Sequence, residues 1–179
     1  MKETEVRDVI AKYLAKMQVK AIRQPGSGPD FLAEGTAIEV KGTKMAFGRA
    51  LKQFTEYAFK YKALEIVTPW DGLDSKSFLV LFAWGLMLEQ KHNKNVGVYI
   101  VTKLKEGSYN VRRYARISDF YSDVTSYGVV HQFKAYYEIS LEDAIREIID
   151  GFSKSDELVR KAIGEAAVRY GETVLVQER

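Results

Sequence analysis

One stretch of the chain decides the fold: residues 28–42, which read GPDFLAEGTAIEVKG. Within it, two short runs rich in apolar residues, 30–33 and 36–41, flank the Glu-Gly pair at 34–35. Apolar runs separated by a two-residue turn that ends in glycine are typical of a β-hairpin. We therefore predict two antiparallel strands at this place in the chain.

The second of these strands carries its charges on one face. Alternate side chains of a strand project to the same side, so Glu39 and Lys41 share a face while the apolar residues between and before them point into the core. Asp30 heads the partner strand, and in a short hairpin its carboxylate approaches that of Glu39. The stretch therefore predicts two carboxylates and an ammonium group at one strand edge.

The rest of the chain is predicted to form helices and strands around this hairpin. The order helix, three strands, helix, strand predicts an α/β fold with a mixed central sheet flanked by helices. We expect a core over 1–115 and a mostly helical C-terminal extension, 116–179, packed on the same domain. Periodicity and turn signals predict helices over 2–17, 47–62, 78–91, 118–126, 141–152 and 155–170, and further strands over 19–23, 63–68, 96–103 and 108–114.

The amino-acid composition excludes several kinds of metal site and catalytic nucleophile. The chain has 179 residues, no cysteine and two histidines, which excludes thiolate zinc sites, iron–sulfur clusters, cysteine nucleophiles and multi-histidine metal sites. Any metal would be held by oxygen atoms. No Gly-Lys-Ser/Thr phosphate loop occurs, which argues against a nucleotide hydrolase. The formal net charge of +3 is compatible with a polyanionic partner.

The longest apolar run, residues 78–88, bears on location and assembly. It is far shorter than the roughly 20 residues that span a bilayer, so we expect a cytoplasmic protein with no membrane partner. The run is expected to lie in the core; the alternative is that it forms a homodimer interface.

Two carboxylates beside a lysine suit a divalent metal ion. Mg²⁺ binds oxygen ligands, commonly one or two carboxylates together with substrate phosphate. Such an ion lowers the pKa of a bound water, and a neighbouring lysine orients that water or offsets developing charge. Asp30, Glu39 and Lys41 therefore predict a phosphodiesterase site. The alternative is a hairpin with ordinary exposed charges, because Asp…Glu-x-Lys is a short pattern.

With these residues in this element order, residues 2–68 resemble the PD-(D/E)xK nuclease superfamily. That superfamily includes restriction enzymes, archaeal Holliday-junction resolvases and RecB-type exonucleases. The Pro-Asp pair is present as Pro29-Asp30, followed by Glu39-Val40-Lys41. The turn at 23–28 also resembles the Gly-Ser turn that leads into the active site of junction resolvases. The resemblance implies a restriction-endonuclease-like core.

The resemblance also implies roles for individual residues. Asp30 and Glu39 would bind Mg²⁺ or Mn²⁺, with the main-chain carbonyl of Val40 as a third ligand. Lys41 would position the attacking water. Many members add a glutamate from the first helix, for which Glu3 and Glu5 are the candidates. Helical geometry favours Glu3, which falls near the apolar face; the alternative is that both are ordinary first-turn acids.

Further residues are implied to bind substrate. In the helix over 47–62, Gln53-x-x-x-Tyr57 matches an additional motif of the RecB-like branch. A solvated glutamine and a core-edge tyrosine are the alternative reading of that motif. The full set of substrate-binding candidates is Gln53, Tyr57, Arg49, Lys44 and Ser27.

A second group of basic residues, 112–116 with Lys103 and Lys105, either contacts phosphate or is ordinary solvated surface. The sequence as a whole predicts a metal-dependent DNA nuclease acting in repair, recombination or replication. One alternative is a DNA-binding or assembly module with the same fold and no catalytic activity. Another is a generic α/β protein whose charged residues share no role.

Overall fold

A computed structural model describes residues 1–24, 26, 28–105, 107–126 and 156–176. This part of the chain forms a seven-stranded mixed sheet with five helices, so the predicted α/β class and mixed sheet are confirmed. The helices are α1 (Glu3–Lys16), α2 (Phe47–Lys60), α3 (Ser75–His92), α4 (Ile117–Ser126) and α5 (Asp156–Arg169). The strands are β1 (Ala21–Arg23), β2 (Phe31–Ala33), β3 (Thr36–Val40), β4 (Ala63–Pro69), β5 (Asn95–Lys105), β6 (Ser108–Tyr114) and β7 (Glu172–Leu175).

The strands lie in the sheet in their order along the chain. The central strands β3, β4 and β5 are parallel, and every other neighbouring pair is antiparallel. Parallel neighbours need a crossover connection, and α2 and α3 supply the two crossovers on one face of the sheet. The carboxyl ends of β3, β4 and β5 therefore point to the same edge of the sheet, where crevices for ligands form in such folds.

Both faces of the sheet are buried. On one face, α1 covers a cluster that includes Val6, Ile38 and Val40. On the other, α2, α3, α4 and α5 cover a larger cluster that includes Phe54 and Leu64. Neighbouring residues of β3 alternate between these clusters, because successive side chains of a strand point to opposite faces. Glu39 is thereby directed to the α2 face, away from Ile38 and Val40.

The apolar run 78–88 lies mainly in the core, within α3. Its buried members include Phe78, Leu81 and Leu88, whereas Val80 and Met87 are partly exposed. The helix begins at Ser75 because Asp74 accepts a hydrogen bond from the Ser77 amide, at 2.7 Å. No helix of the described residues is long and apolar enough to cross a bilayer.

The C-terminal extension differs in one respect from the prediction. After α5, the chain forms β7, which pairs with β6 and extends the central sheet. The four residues of β7 bury only Val174, so they give too little alternation for sequence analysis to recognise a strand. The helix predicted over 141–152 lies outside the described residues.

Candidate active site

The carboxyl end of β3 brings together the residues that sequence analysis singled out. Phe31 pairs with Ile38 in the hairpin. When this register is continued by one residue pair, Asp30 lies opposite Glu39. Beyond the last β2 pair, Asp30 Oδ2 accepts a hydrogen bond from the Val40 amide, at 2.8 Å. The carbonyl of an extended residue points to the same side as its amide, so the Val40 carbonyl faces the Asp30 side of the strand.

Glu39 is almost fully buried, with 3% of its surface exposed. Its Oε1 accepts a hydrogen bond from Lys41 Nζ at 2.5 Å, whereas Oε2 is buried and forms no hydrogen bond with any residue that the structure describes. Burial raises the pKa of Glu39; the bond to Lys41 opposes this, and the negative charge of Asp30 adds to it. The Asp30 backbone amide also lowers the pKa of Glu39, so Oε2 is a buried carboxylate oxygen without a hydrogen bond of ordinary geometry, in a group that has Lys41 and this amide nearby.

Lys41 connects this carboxylate to α2. Its Nζ donates a second hydrogen bond to Gln53 Oε1, at 2.9 Å. Gln53 Nε2 in turn donates to Tyr57 Oη, at 3.2 Å. Gln53 and Tyr57 are one turn apart on the same helix face, as their spacing predicted. The chain of contacts from Glu39 to Tyr57 fixes the ammonium group of Lys41 between the carboxylate and the amide.

Sequence analysis did not identify Arg7, which forms part of this site. Its Nε lies 2.6 Å from Asp30 Oδ1, and its Nη2 lies 2.8 Å from Glu3 Oε1. The spacing of Glu3 and Arg7, one helical turn apart, indicated their mutual pair. The pair with Asp30 depends on how α1 docks against the hairpin, for which the sequence carries no local signal.

The two candidate glutamates of α1 lie in different surroundings. Glu3 borders a cleft of about 160 Å³ that is also lined by Lys41, Lys44, Arg49 and Gln53. Glu5 instead accepts a hydrogen bond from Tyr109 Oη, at 2.8 Å, and lies 3.5 Å from Lys103. Only Glu3 of the two therefore borders the same cleft as Lys41. Ser27 lies outside the described residues.

The residues fit a metal ion in part. Among the described residues, no group of three or more acidic, histidine or cysteine side chains is placed to hold one. Asp30 and Glu39 supply two carboxylates, however, and the Val40 carbonyl faces the same side as Asp30. The partnerless Glu39 Oε2 is the kind of atom that a cation would satisfy. This donor set is all oxygen, as Mg²⁺ and Mn²⁺ prefer.

Comparison of the chain with protein-family models, curated proteins and solved structures finds no match. The chemistry of the site therefore has to follow from its own residues.

The second basic group is largely engaged in contacts within the protein. Arg113 donates two hydrogen bonds to the buried Glu65, which also accepts one from Tyr99. Arg112 stacks over the ring of Tyr114, and its guanidinium carbon lies 5.1 Å from the ring centroid. Arg116 lies 3.5 Å from Glu89. Arg112, Arg113 and Arg116 are therefore held by contacts within the protein, which is neither the ordinary solvated surface nor the phosphate contact that the sequence suggested.

Proposed function

We propose that this protein is a metal-dependent nuclease with a restriction-endonuclease-like core, and that DNA is its substrate. One observation carries the proposal: Asp30, Glu39 and Lys41 lie at one end of β3, and the buried Glu39 Oε2 forms no hydrogen bond within the described part of the chain. A buried carboxylate oxygen without a partner is costly. A cation between Glu39 and Asp30 would remove that cost.

Each residue has a role in this proposal. Asp30, Glu39 and the Val40 carbonyl would hold Mg²⁺ or Mn²⁺, and Glu3 is a further carboxylate in the cleft that Lys41 lines. When bound, the ion would lower the pKa of a water and stabilise negative charge on the phosphodiester. Lys41, held by Glu39 and Gln53, donates hydrogen bonds from a fixed position and orients the attacking water.

The charge around the cleft supports a phosphate-bearing substrate. Lys44 and Arg49 line the cleft beside Lys41, and both are exposed. Cations at such a position contribute salt-dependent affinity for nucleic acid by releasing counterions from the phosphates. Gln53 also lines the cleft and accepts a hydrogen bond from Lys41, and Tyr57 accepts one from Gln53. We therefore assign recognition of the DNA backbone to the rim of this cleft.

A second candidate function is DNA binding without cleavage. It is favoured by the ion pairs within the site, because Arg7 pairs with Asp30 and Lys41 pairs with Glu39. Both carboxylates are thereby partly neutralised by the chain itself. In this alternative, the cleft binds phosphate and the carboxylates serve only to hold the cations in place.

Cleavage assays separate the two functions. Linear duplex, branched and single-stranded DNA are incubated with the protein in Mg²⁺, in Mn²⁺ and in EDTA. We expect metal-dependent cleavage that Lys41→Met lowers by at least about a hundredfold, the lower end of the range for loss of a positioned polar group. Lys52→Met is the matched control, since it removes the same charge from an exposed position of α2 and should cleave as the wild type does.

Inert wild-type protein on all three DNA forms, with DNA binding intact, would favour the non-catalytic module. Cleavage that Lys41→Met and Lys52→Met share equally would count against the assigned site.

A further inference from the structure

A second, larger concavity lies at the same edge of the sheet as the candidate active site. It has a volume of about 1070 Å³ and runs between α5 and the residues that follow or end the central strands. Trp70, directly after β4, and Thr102, in β5, form one wall. Arg160, Gly164 and Val168 of α5 form the other. We call this concavity the Trp70 groove.

Two polar atoms of residues that line the Trp70 groove have no partner among the described residues. Arg160 Nε and Thr102 Oγ1 are both buried and form no hydrogen bond with this part of the chain. Buried donors without partners are rare in native proteins, and each one needs an explanation. One atom belongs to a guanidinium group and the other to a hydroxyl group. Together they are suited to a ligand that carries an anionic, oxygen-rich group.

The charged side chains among the described lining residues leave a positive balance: three are basic, Arg160, Lys161 and Arg169, and two are acidic, Asp71 and Glu165. Glu165 lies 3.8 Å from Lys161 on the same helix, whereas Asp71 accepts a hydrogen bond from the uncharged hydroxyl of Thr43, at 3.0 Å. Arg160 is not paired with either of them, which favours an anionic ligand.

Trp70 adds a flat apolar surface to this groove. Its amide donates to the Val101 carbonyl at 3.0 Å, which ties the residue to β5. The six-membered part of the indole lies against Gly164: a Cβ at that position would be 3.3 Å from Cε3. The lack of a side chain at Gly164 therefore leaves room for the Trp70 ring between the sheet and α5. Indole rings stack well on nucleobases, with little preference among them.

The groove adjoins the candidate active site. Asp71, which lines the groove, accepts its hydrogen bond from Thr43, two residues after Lys41. A ligand in the groove and a phosphodiester at Lys41 would therefore lie on one continuous surface, at the carboxyl ends of adjacent parallel strands.

We propose that the Trp70 groove binds a nucleotide unit, with its base against Trp70 and its phosphate at Arg160 and Thr102. This inference rests on the proposed nuclease function for its choice of ligand. Two ligands carry both this base and this phosphate: a single DNA strand that leaves the active site, and a free mononucleotide. A base in a duplex is stacked on its neighbours and is not free to lie against an indole ring.

Tryptophan fluorescence tests the proposal in EDTA, where no cleavage complicates binding. The chain has two tryptophans, and Trp84 is buried with its indole N–H bonded to Thr55. In Trp84→Phe, the emission reports on Trp70 alone. We expect a short oligothymidylate to quench this emission at concentrations where the matching duplex and inorganic phosphate do not. Thymidine monophosphate is titrated in parallel: quenching by the strand alone identifies a strand path, and quenching by both identifies a general nucleotide site.

Substitutions of α5 test the anionic part of the ligand. Arg160→Gln should weaken oligothymidylate binding about tenfold, the effect of a lost hydrogen bond to a charged group. Its thermal unfolding midpoint should not fall, because the Arg160 Nε forms no hydrogen bond with a described residue that could be lost. Lys91→Gln is the control, since it removes the same charge from an exposed position of α3 that does not line the groove, and it should change binding less than about twofold.

Absence of quenching by every nucleotide, or equal binding by Arg160→Gln and the wild type, would overturn the proposal. The outcome is separable from that of the proposed function. If cleavage depends on Lys41 but the Trp70 emission does not respond to nucleotides, only the proposed nucleotide site in the groove is refuted. If the strand binds at Trp70 but the protein does not cleave DNA, only the proposed nuclease activity is refuted.

Discussion

Lys41 balances a buried negative charge as well as serving the proposed chemistry. Its ammonium group is the cation paired with Glu39, whose carboxylate is almost fully buried. Removing one member of a buried pair leaves the other charge uncompensated, which is costlier than losing the pair as a whole. The consequence for stability can be measured without any substrate.

We predict that Lys41→Met in metal-free buffer loses about 3 kcal/mol of unfolding free energy at neutral pH. Burial already raises the pKa of Glu39, and loss of Lys41 removes the contact that opposes this rise. In the unfolded chain Glu39 has the ordinary pKa of a glutamate, about 4.5, and in the folded protein its pKa is higher. At a pH between these two values, Glu39 holds a proton in the folded protein that it has released in the unfolded chain. Stability of the variant therefore falls as pH rises through this interval, and its deficit is small below it. Urea unfolding at a series of pH values measures the effect.

The double variant Glu39→Gln/Lys41→Met is the control, because it removes both charges. Its stability deficit should be smaller than that of Lys41→Met and independent of pH across the same interval. A deficit of Lys41→Met that is equally large at all pH values would mean that the charge of Glu39 is not its cause.

At the scale of single residues, the sequence predicts contacts within a strand or helix better than contacts between elements. The spacing of Glu39 and Lys41 placed them on one face, and that of Gln53 and Tyr57 placed them one helical turn apart. Both pairs form hydrogen bonds in the structure. The pair of Arg7 with Asp30 joins a helix to a hairpin. Its formation depends on tertiary packing, so no local pattern indicated it.

At the scale of elements, the position of α3 depends on a close contact with α4. Gly85 of α3 faces Ile117, the first residue of α4, and both are buried. A Cβ at Gly85 would lie 2.9 Å from Ile117 Cγ2. The helix therefore uses a residue of poor helical propensity because the contact leaves no room for a side chain.

Gly85→Ala is accordingly expected to destabilise the protein by about 1 kcal/mol. The gain in helix propensity, roughly 1 kcal/mol, is outweighed by an overpacking cost of about 1–3 kcal/mol. Gly48→Ala in α2 is the matched control. That position is exposed, with open space around the added methyl group, and the same change should stabilise the protein by about 0.5 kcal/mol. Thermal or urea unfolding measures both, and stabilisation by both substitutions would contradict the packing argument.

Sequence analysis recognised the long elements and missed the four-residue strand β7. The predicted range of α2 extends two residues beyond its observed end, and that of α3 begins three residues after its observed start. The start of α3 was missed because its first turn, Ser75–Lys76–Ser77, is polar and is fixed by the cap at Asp74. Strand β7 has only four residues, and its place in the sheet is set by pairing with β6.

At the scale of the whole molecule, β7 joins the end of the described chain to its beginning. Val174 packs in the cluster that α1 covers, and Lys16 at the end of α1 lies 2.8 Å from Glu172. Helix α1 also carries Arg7, which holds Asp30 at the other end of the same face. Packing of β7 against α1 therefore supports the helix that reaches the candidate active site.

The alternation within β7 provides a direct test of this arrangement. Val174 is buried and Leu175 is 70% exposed, although the two are neighbours of similar character in the sequence. Val174→Asp places a charge in an apolar cluster and should cost about 3 kcal/mol or more. Leu175→Asp places the same charge in solvent and should change stability by no more than about 0.5 kcal/mol. Chemical unfolding of the two variants measures the difference. Equal effects would mean that β7 does not pair with β6 in the register that directs Val174 toward α1, and the packing of β7 against α1 would then have to be abandoned.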